Sequence, residues 1–143
     1  MDQQLFNLEL NILIPQRAPF VLVDGIIAHE SNKTTSVFKV DKDHILIEDG
    51  KLSAYGLIEN MAQSAALMSG YEAHLSQLKP KTGFIGTITN AHIYDLPSIG
   101  EILMTQVIQT TQIMNIIVIE CFCFCREIKI AECSMKIVLM EEV

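Results

Sequence analysis

Glu59 and Gln63 stand four residues apart in the stretch GLIENMAQSAALM, residues 56–68, where nearly every other side chain is apolar or small. At helical spacing the two share one face, and the amide can hydrogen-bond the carboxylate. A charge in apolar surroundings is costly unless it is paired, hydrogen-bonded or neutralised, so Glu59 is either a satisfied structural group or a group that handles protons. Acid–base work needs a complementary partner. His44 is the candidate, because it precedes the helix on the same approach and has Asp43 beside it as an orienting carboxylate. Lys51 lies on that approach too, but it must be neutral to accept a proton, and the charged segment around it does not supply the burial this requires. Gln16 carries an amide, which accepts no proton near neutral pH. His29, His74 and His92 read as surface or strand-end histidines.

Four cysteines raise the question of a metal. Cys121, Cys123 and Cys125 alternate along an apolar run, so as a strand they share one face, too extended to close a tetrahedron around one ion. No C-x-x-C and no suitably spaced histidine pair accompanies them. They and Cys133 are expected to be core thiols, with no metal and no cofactor.

The helix that must position Glu59 runs over residues 53–76, with Pro80 marking its end. Ala62, Ala65, Ala66 and Gly70 keep it thin enough for other backbones to approach closely. Residues 41–51 are charged, contain Gly50 and stop just before the helix, which makes them the lip of a site. Upstream, residues 5–10 are expected to form a short amphipathic helix. Pro15 and Pro19 then hold an extended approach to strands at 20–28 and 34–40. Four strands follow the helix, at 82–94, 101–111, 113–126 and 128–140, with Gly100 and the pair Arg126, Glu127 at turns. In the last strand Cys133, Met135 and Ile137 alternate with Glu132, Ser134 and Lys136, the period of a half-buried antiparallel strand. One long central helix wrapped by a curved antiparallel sheet is an α+β arrangement. Nothing reads as a linker or repeat, so one domain over 1–143 is expected.

Half of the 143 residues are hydrophobic, ample for a core, and the formal net charge of -7 argues against nucleic acid. Glu120, Arg126 and Lys129 interrupt the apolar runs before they reach membrane-spanning length, and the first residues lack a basic, then apolar, leader. A cytoplasmic protein without a membrane segment is expected. The apolar sheet must also hide its edges, which favours at least a dimer.

Two segments resemble a known family. IPQRAPFVLVD, residues 14–24, is similar to the L-P-H-R-x-P-F-L-L-V-D opening of the 3-hydroxyacyl-acyl-carrier-protein dehydratases, and ENMAQ, residues 59–63, to their E-A-M-A-Q helix. GFIG at 83–86 and PSIGE at 97–101 are weaker counterparts of the family's F-x-G and P-G-D segments. The family's G-H-F-P-G loop has a shorter counterpart, EDGKLS at 48–53, which contains no histidine, and Gln16 replaces the histidine of the opening motif. The chain is thus identified as a dehydratase-like member lacking the active-site histidine.

The resemblance implies the hotdog fold and an acyl site at a dimer interface, the partner being a second copy or a related hotdog subunit. The substrate it implies is a 3-hydroxyacyl or enoyl thioester on acyl carrier protein or coenzyme A, in fatty-acid or polyene-type lipid synthesis. Glu59 would help the 3-hydroxyl leave, with His44 as replacement base. Gln16, Lys51, Tyr55, Gly56 and Gln63 would contact substrate. An acidic carrier docking on an acidic protein needs a local basic patch, for which Arg17, Lys51, Lys79 and Lys81 are candidates. Two alternatives share the scaffold. One is a thioesterase in which the helix carboxylate activates water, and the other a non-catalytic subunit completing a heterodimeric dehydratase.

Overall fold

The computed structural model describes residues 13–79 and 83–140. Its central element, α1, is Ala54–Leu75. Ser53 starts it: the backbone is extended (φ -67°, ψ 162°) and the hydroxyl accepts the Gly56 N–H, the usual way a serine satisfies a first-turn donor. Leu57, Asn60, Met61, Ser64, Leu67 and Met68 form one buried stripe along α1, and Gly56, Gln63, Ala65 and Gly70, buried on either side of it, widen the stripe to more than half of the helix, as a helix packed under a curved sheet requires. Gly70 is obligatory for sterics: a Cβ there would lie 1.9 Å from the Leu13 carbonyl oxygen, so the incoming chain lies directly against the helix.

Among the described residues eight strands accompany α1: β1 (Gly25–Glu30), β2 (Lys33–Lys39), β3 (Ile47–Glu48), β4 (Lys51–Leu52), β5 (Gly83–Ile93), β6 (Ile102–Ile113), β7 (Ile116–Cys125) and β8 (Ile128–Leu139). Six form one antiparallel sheet in the order β1-β2-β6-β7-β8-β5, and β3 pairs with β4 in the lip. Arg126 and Glu127 turn β7 into β8 with φ of 53° and 64°, matching the twist of the strands they join. The inner face of the sheet meets α1 through Leu103, Val107, Ile119, Cys121, Cys123 and Met135, each at most 1% exposed. A second cluster of Leu13, Ile14, Val23, Ile26 and Leu67 anchors the incoming segment. This is the hotdog arrangement.

The expected strand at 20–28 begins later, at Gly25. The Phe20 N–H closes a turn onto the Arg17 carbonyl, and side-chain amides of α1 take the partners of Phe20 and Leu22 that a neighbouring strand would have supplied. The two sheet edges differ. β1 is short and carries His29 and Glu30, whereas β5 is eleven residues long, has no acidic or Lys/Arg residue and is exposed along nearly its whole length. No helix among the described residues is long and apolar enough to cross a membrane. The helix expected at 5–10 and Pro80 lie outside the described residues.

Candidate functional site

Glu59 lies in the second turn of α1, half-buried, and its Oε1 accepts the Gln63 Nε2–H at 3.1 Å. Gln63 is fully buried, and its other contacts fix the amide: Oε1 accepts the Leu22 N–H at 2.7 Å, and Nε2 donates to the Phe20 carbonyl at 2.9 Å. Asn60 extends the same clamp. Its Nδ2 donates to the Leu22 carbonyl at 2.7 Å while its Oδ1 accepts the Thr105 hydroxyl at 2.6 Å, tying α1 to β6. A buried amide leaves little freedom when each of its groups has a partner, so Glu59 is presented from a rigid mount.

His44 reaches the same segment from the lip. Its Nδ1 accepts the Leu46 N–H at 3.1 Å, which puts the ring proton on Nε2, and Nε2 donates to the Val21 carbonyl at 3.0 Å. Both ring nitrogens are thus engaged by backbone, and the ring stands edge-on to Phe38 at 5.9 Å. Asp43 does not orient it; the Asp43 N–H instead closes a turn onto the Asp41 carboxylate at 3.1 Å. The structure therefore brings Glu59, Gln63 and His44 to residues 20–22, with His44 fastening the lip.

The other candidate residues are spread around the start of α1. Gly56 donates to the Ser53 hydroxyl and packs so closely on Leu52 that a Cβ would come within 2.5 Å of it. Ala54 and Tyr55 then hold the first-turn N–H groups without an intrahelical acceptor, at the positive end of the helix dipole. Tyr55 is 63% exposed at this end. Lys51 is exposed on β4, whose backbone bridges to Ser98. Gln16 is half-buried, and its Oε1 is buried without a hydrogen-bond partner among the described residues.

Beside the lip, Glu101 accepts the Ser98 N–H at 2.9 Å and pairs with Arg126 at 2.8 Å. The Ser98 amide, the Cys125 thiol and Arg126 hold its carboxyl below the usual carboxylate range. Glu101 and Arg126 also border a groove of about 640 Å³ with a floor of Ile102, Met104 and Phe124. Ile102 and Met104 alternate with Leu103 and Thr105, which face α1, so the groove lies on the outer face of the sheet, away from Glu59.

Asn60 and Thr105 escaped the sequence reading. The available signal was Asn60 itself, a polar residue where the family motif has alanine. All four cysteines are buried, as expected of core thiols, and no group of three or more His, Cys, Asp or Glu able to hold a metal occurs among the described residues.

The sequence pattern of the ApeP-like family, described as ApeP dehydratase, matches residues 8–143. Nothing among curated proteins matches the chain. Among solved structures it is similar to a chain of the dehydratase heterocomplex ApeI:P from Xenorhabdus doucetiae, with a TM-score of 0.85 and 20% identity over 94% of this chain and 93% of that one. An HP0420 homologue from Helicobacter felis aligns with a TM-score of 0.68 and 17% identity over 99% and 90% of the two chains. The protein smu.793 of Streptococcus mutans bound to acetyl CoA aligns at 0.65 and 10% over 82% and 88%. At these identities the structural likenesses establish the fold, whereas the sequence match spans most of the chain. The chain belongs to the ApeP-like dehydratase family.

Proposed function

We propose that this chain is one subunit of a hotdog dehydratase that handles 3-hydroxyacyl or enoyl thioesters, carried on acyl carrier protein or coenzyme A, and that its partner is a related hotdog subunit bearing a histidine. The carrying observation is an asymmetry in the site. Glu59 is rigidly mounted with one carboxylate oxygen bonded to Gln63, while both nitrogens of the nearest histidine, His44, are engaged by backbone. Half of an acid–base pair is therefore presented without its base. The Xenorhabdus relative belongs to a dehydratase heterocomplex, ApeI:P, which supports a two-subunit reading. The open, unguarded β5 is a surface along which a second hotdog sheet can continue.

In this reading the partner's histidine removes the proton next to the thioester carbonyl. The first-turn N–H groups of Ala54 and Tyr55 stabilise the negative charge that develops on the carbonyl oxygen. Glu59 gives a proton to the departing 3-hydroxyl, which leaves as water. Gln63 aims the carboxyl, Gly56 lets the helix start pack on the lip, and Tyr55, Lys51 and Gln16 border the entrance. Within the isolated chain His44 is the remaining candidate base, and it would have to give up the Leu46 N–H to serve. One domain over 1–143 in a cytoplasmic protein suits this role.

A second reading, a thioesterase using Glu59 to activate water, draws on the likeness to a hypothetical thioesterase with coenzyme A from Streptococcus pneumoniae. One experiment separates them. A 3-hydroxyacyl-carrier-protein series is incubated with the chain alone, with a histidine-containing hotdog dehydratase alone, and with both, and the products are read by mass spectrometry. Water loss that rises in the mixture and falls with Glu59→Gln supports the subunit reading. Free acid moves the protein to the thioesterases. Unchanged products in every sample overturn both.

A further inference from the structure

The site leaves the buried sulfur atoms unused, and their placement differs from what one strand suggests. Pairing of β7 with β8 sets Cys121 directly opposite Cys133, and both point at α1, being 0% and 2% exposed. Met61, two residues along α1 from Glu59, places its Sδ 3.6 Å from the Cys133 Sγ. The sulfurs here come from two strands and a helix, where β7 alone is too extended to close around an ion. We propose that Cys121, Cys133 and Met61 form a closed three-sulfur site for one monovalent soft d10 cation of the copper(I) type.

Geometry and ligand chemistry agree on the class of ion. Three sulfurs held about 2.3 Å from a central ion, the length of a zinc–thiolate bond, stand about 4 Å apart, so the Cys133–Met61 separation needs to open by only a few tenths of an ångström. Thiolate and thioether donors select soft ions. Zinc asks for a fourth ligand, and an iron–sulfur cluster for four cysteines. The nearest further thiol, Cys123, is turned to the Thr105 hydroxyl at 3.4 Å. On binding, two S–H bonds break, two protons go to solvent, three metal–sulfur bonds form and no electron is transferred. Cys133 lies one strand in from the open edge, opposite the break in the β5–β8 register between Thr89 and His92, where Asn90 takes φ 52°.

The test is an anaerobic titration of the folded, reduced chain with copper(I) against a chromophoric copper(I) chelator, with silver(I) as a redox-inert second probe. The expected result is one ion per chain and about two protons released. Cys121→Ser and Cys133→Ser lose uptake, Met61→Leu weakens it at least tenfold, and Cys123→Ser and Cys125→Ser retain it. Circular dichroism checks the fold of each variant. If a serine variant fails to fold, Met61→Leu and the two retaining variants still decide the matter. No competition with the chelator, uptake only in denaturant, full uptake by folded Cys133→Ser, or equal effects of all the cysteine variants would each overturn the proposal.

Discussion

Replacing Gln63 with methionine tests the amide clamp. The side chain keeps its length and loses all three hydrogen bonds, to Leu22 N–H, the Phe20 carbonyl and Glu59. The Leu22 N–H sits in a residue with 0% exposure, and a buried donor left without an acceptor costs about 1–3 kcal/mol. The other two bonds end at part-buried groups that water can reach, at about 1 kcal/mol each. The sum, about 3–5 kcal/mol, is a large share of the ~5–15 kcal/mol that holds a typical domain together. At a urea slope of about 1.5 kcal/mol/M the unfolding midpoint should fall by about 2–3 M. Glu59→Gln is the control, because its carbonyl still accepts from Gln63, and it should cost under ~1 kcal/mol. Urea unfolding gives both numbers, and hydrogen exchange at the Leu22 amide reports the clamp directly. A loss below about 1 kcal/mol in Gln63→Met, or a Leu22 amide that stays fully protected, would refute the reasoning.

Gly70→Ala should destabilise despite the ~1 kcal/mol that alanine gains over glycine in a helix, because the new Cβ would lie 1.9 Å from the Leu13 carbonyl; urea unfolding should show a net loss of about 2–4 kcal/mol. Glu101 has its carboxyl held low by Ser98, Cys125 and Arg126, so it adds stability above the ordinary carboxylate pKa and loses it as pH falls through the lowered one. The gap in unfolding midpoint between wild type and Glu101→Gln should therefore be widest near pH 7 and close in strong acid; a gap independent of pH would contradict this. Phe84→Asp puts a charge on the 53% exposed side chain near the start of β5. Light scattering on the chain mixed with a hotdog partner should show association weakened at least tenfold, with the chain's own unfolding midpoint nearly unchanged.

The long helix was legible because its evidence is local: small residues and a following proline place it at 53–76, against Ala54–Leu75 in the structure. The hairpin at Arg126 and Glu127 and the alternation of β8 were legible for the same reason. Residues 20–24 were not. Their apolar run reads as strand, and only the distant amides of Asn60 and Gln63 take them out of the sheet. The pairing of Cys121 with Cys133 also depends on register, which a turn and a one-residue slip near Phe124 decide together. Of the site, the Glu59–Gln63 contact followed from spacing alone. The engagement of His44 by Val21 and Leu46 could not, since backbone partners leave no mark on residue identity.

The clamp over residues 20–22 grips main-chain atoms. Nothing in it depends on the side chains it holds, so Phe20, Val21 and Leu22 can change within what packing allows while the grip persists. From α1 the constraint falls on two amides, with the His44 ring gripping Val21 from the lip, and losing either amide is felt however well the held segment matches. Two proteins that agree at few positions can thus lay this segment along the same helix. The reverse also follows: a chain could keep the entire PFVLVD run and, without Asn60 and Gln63, let it drift away from the carboxylate it borders.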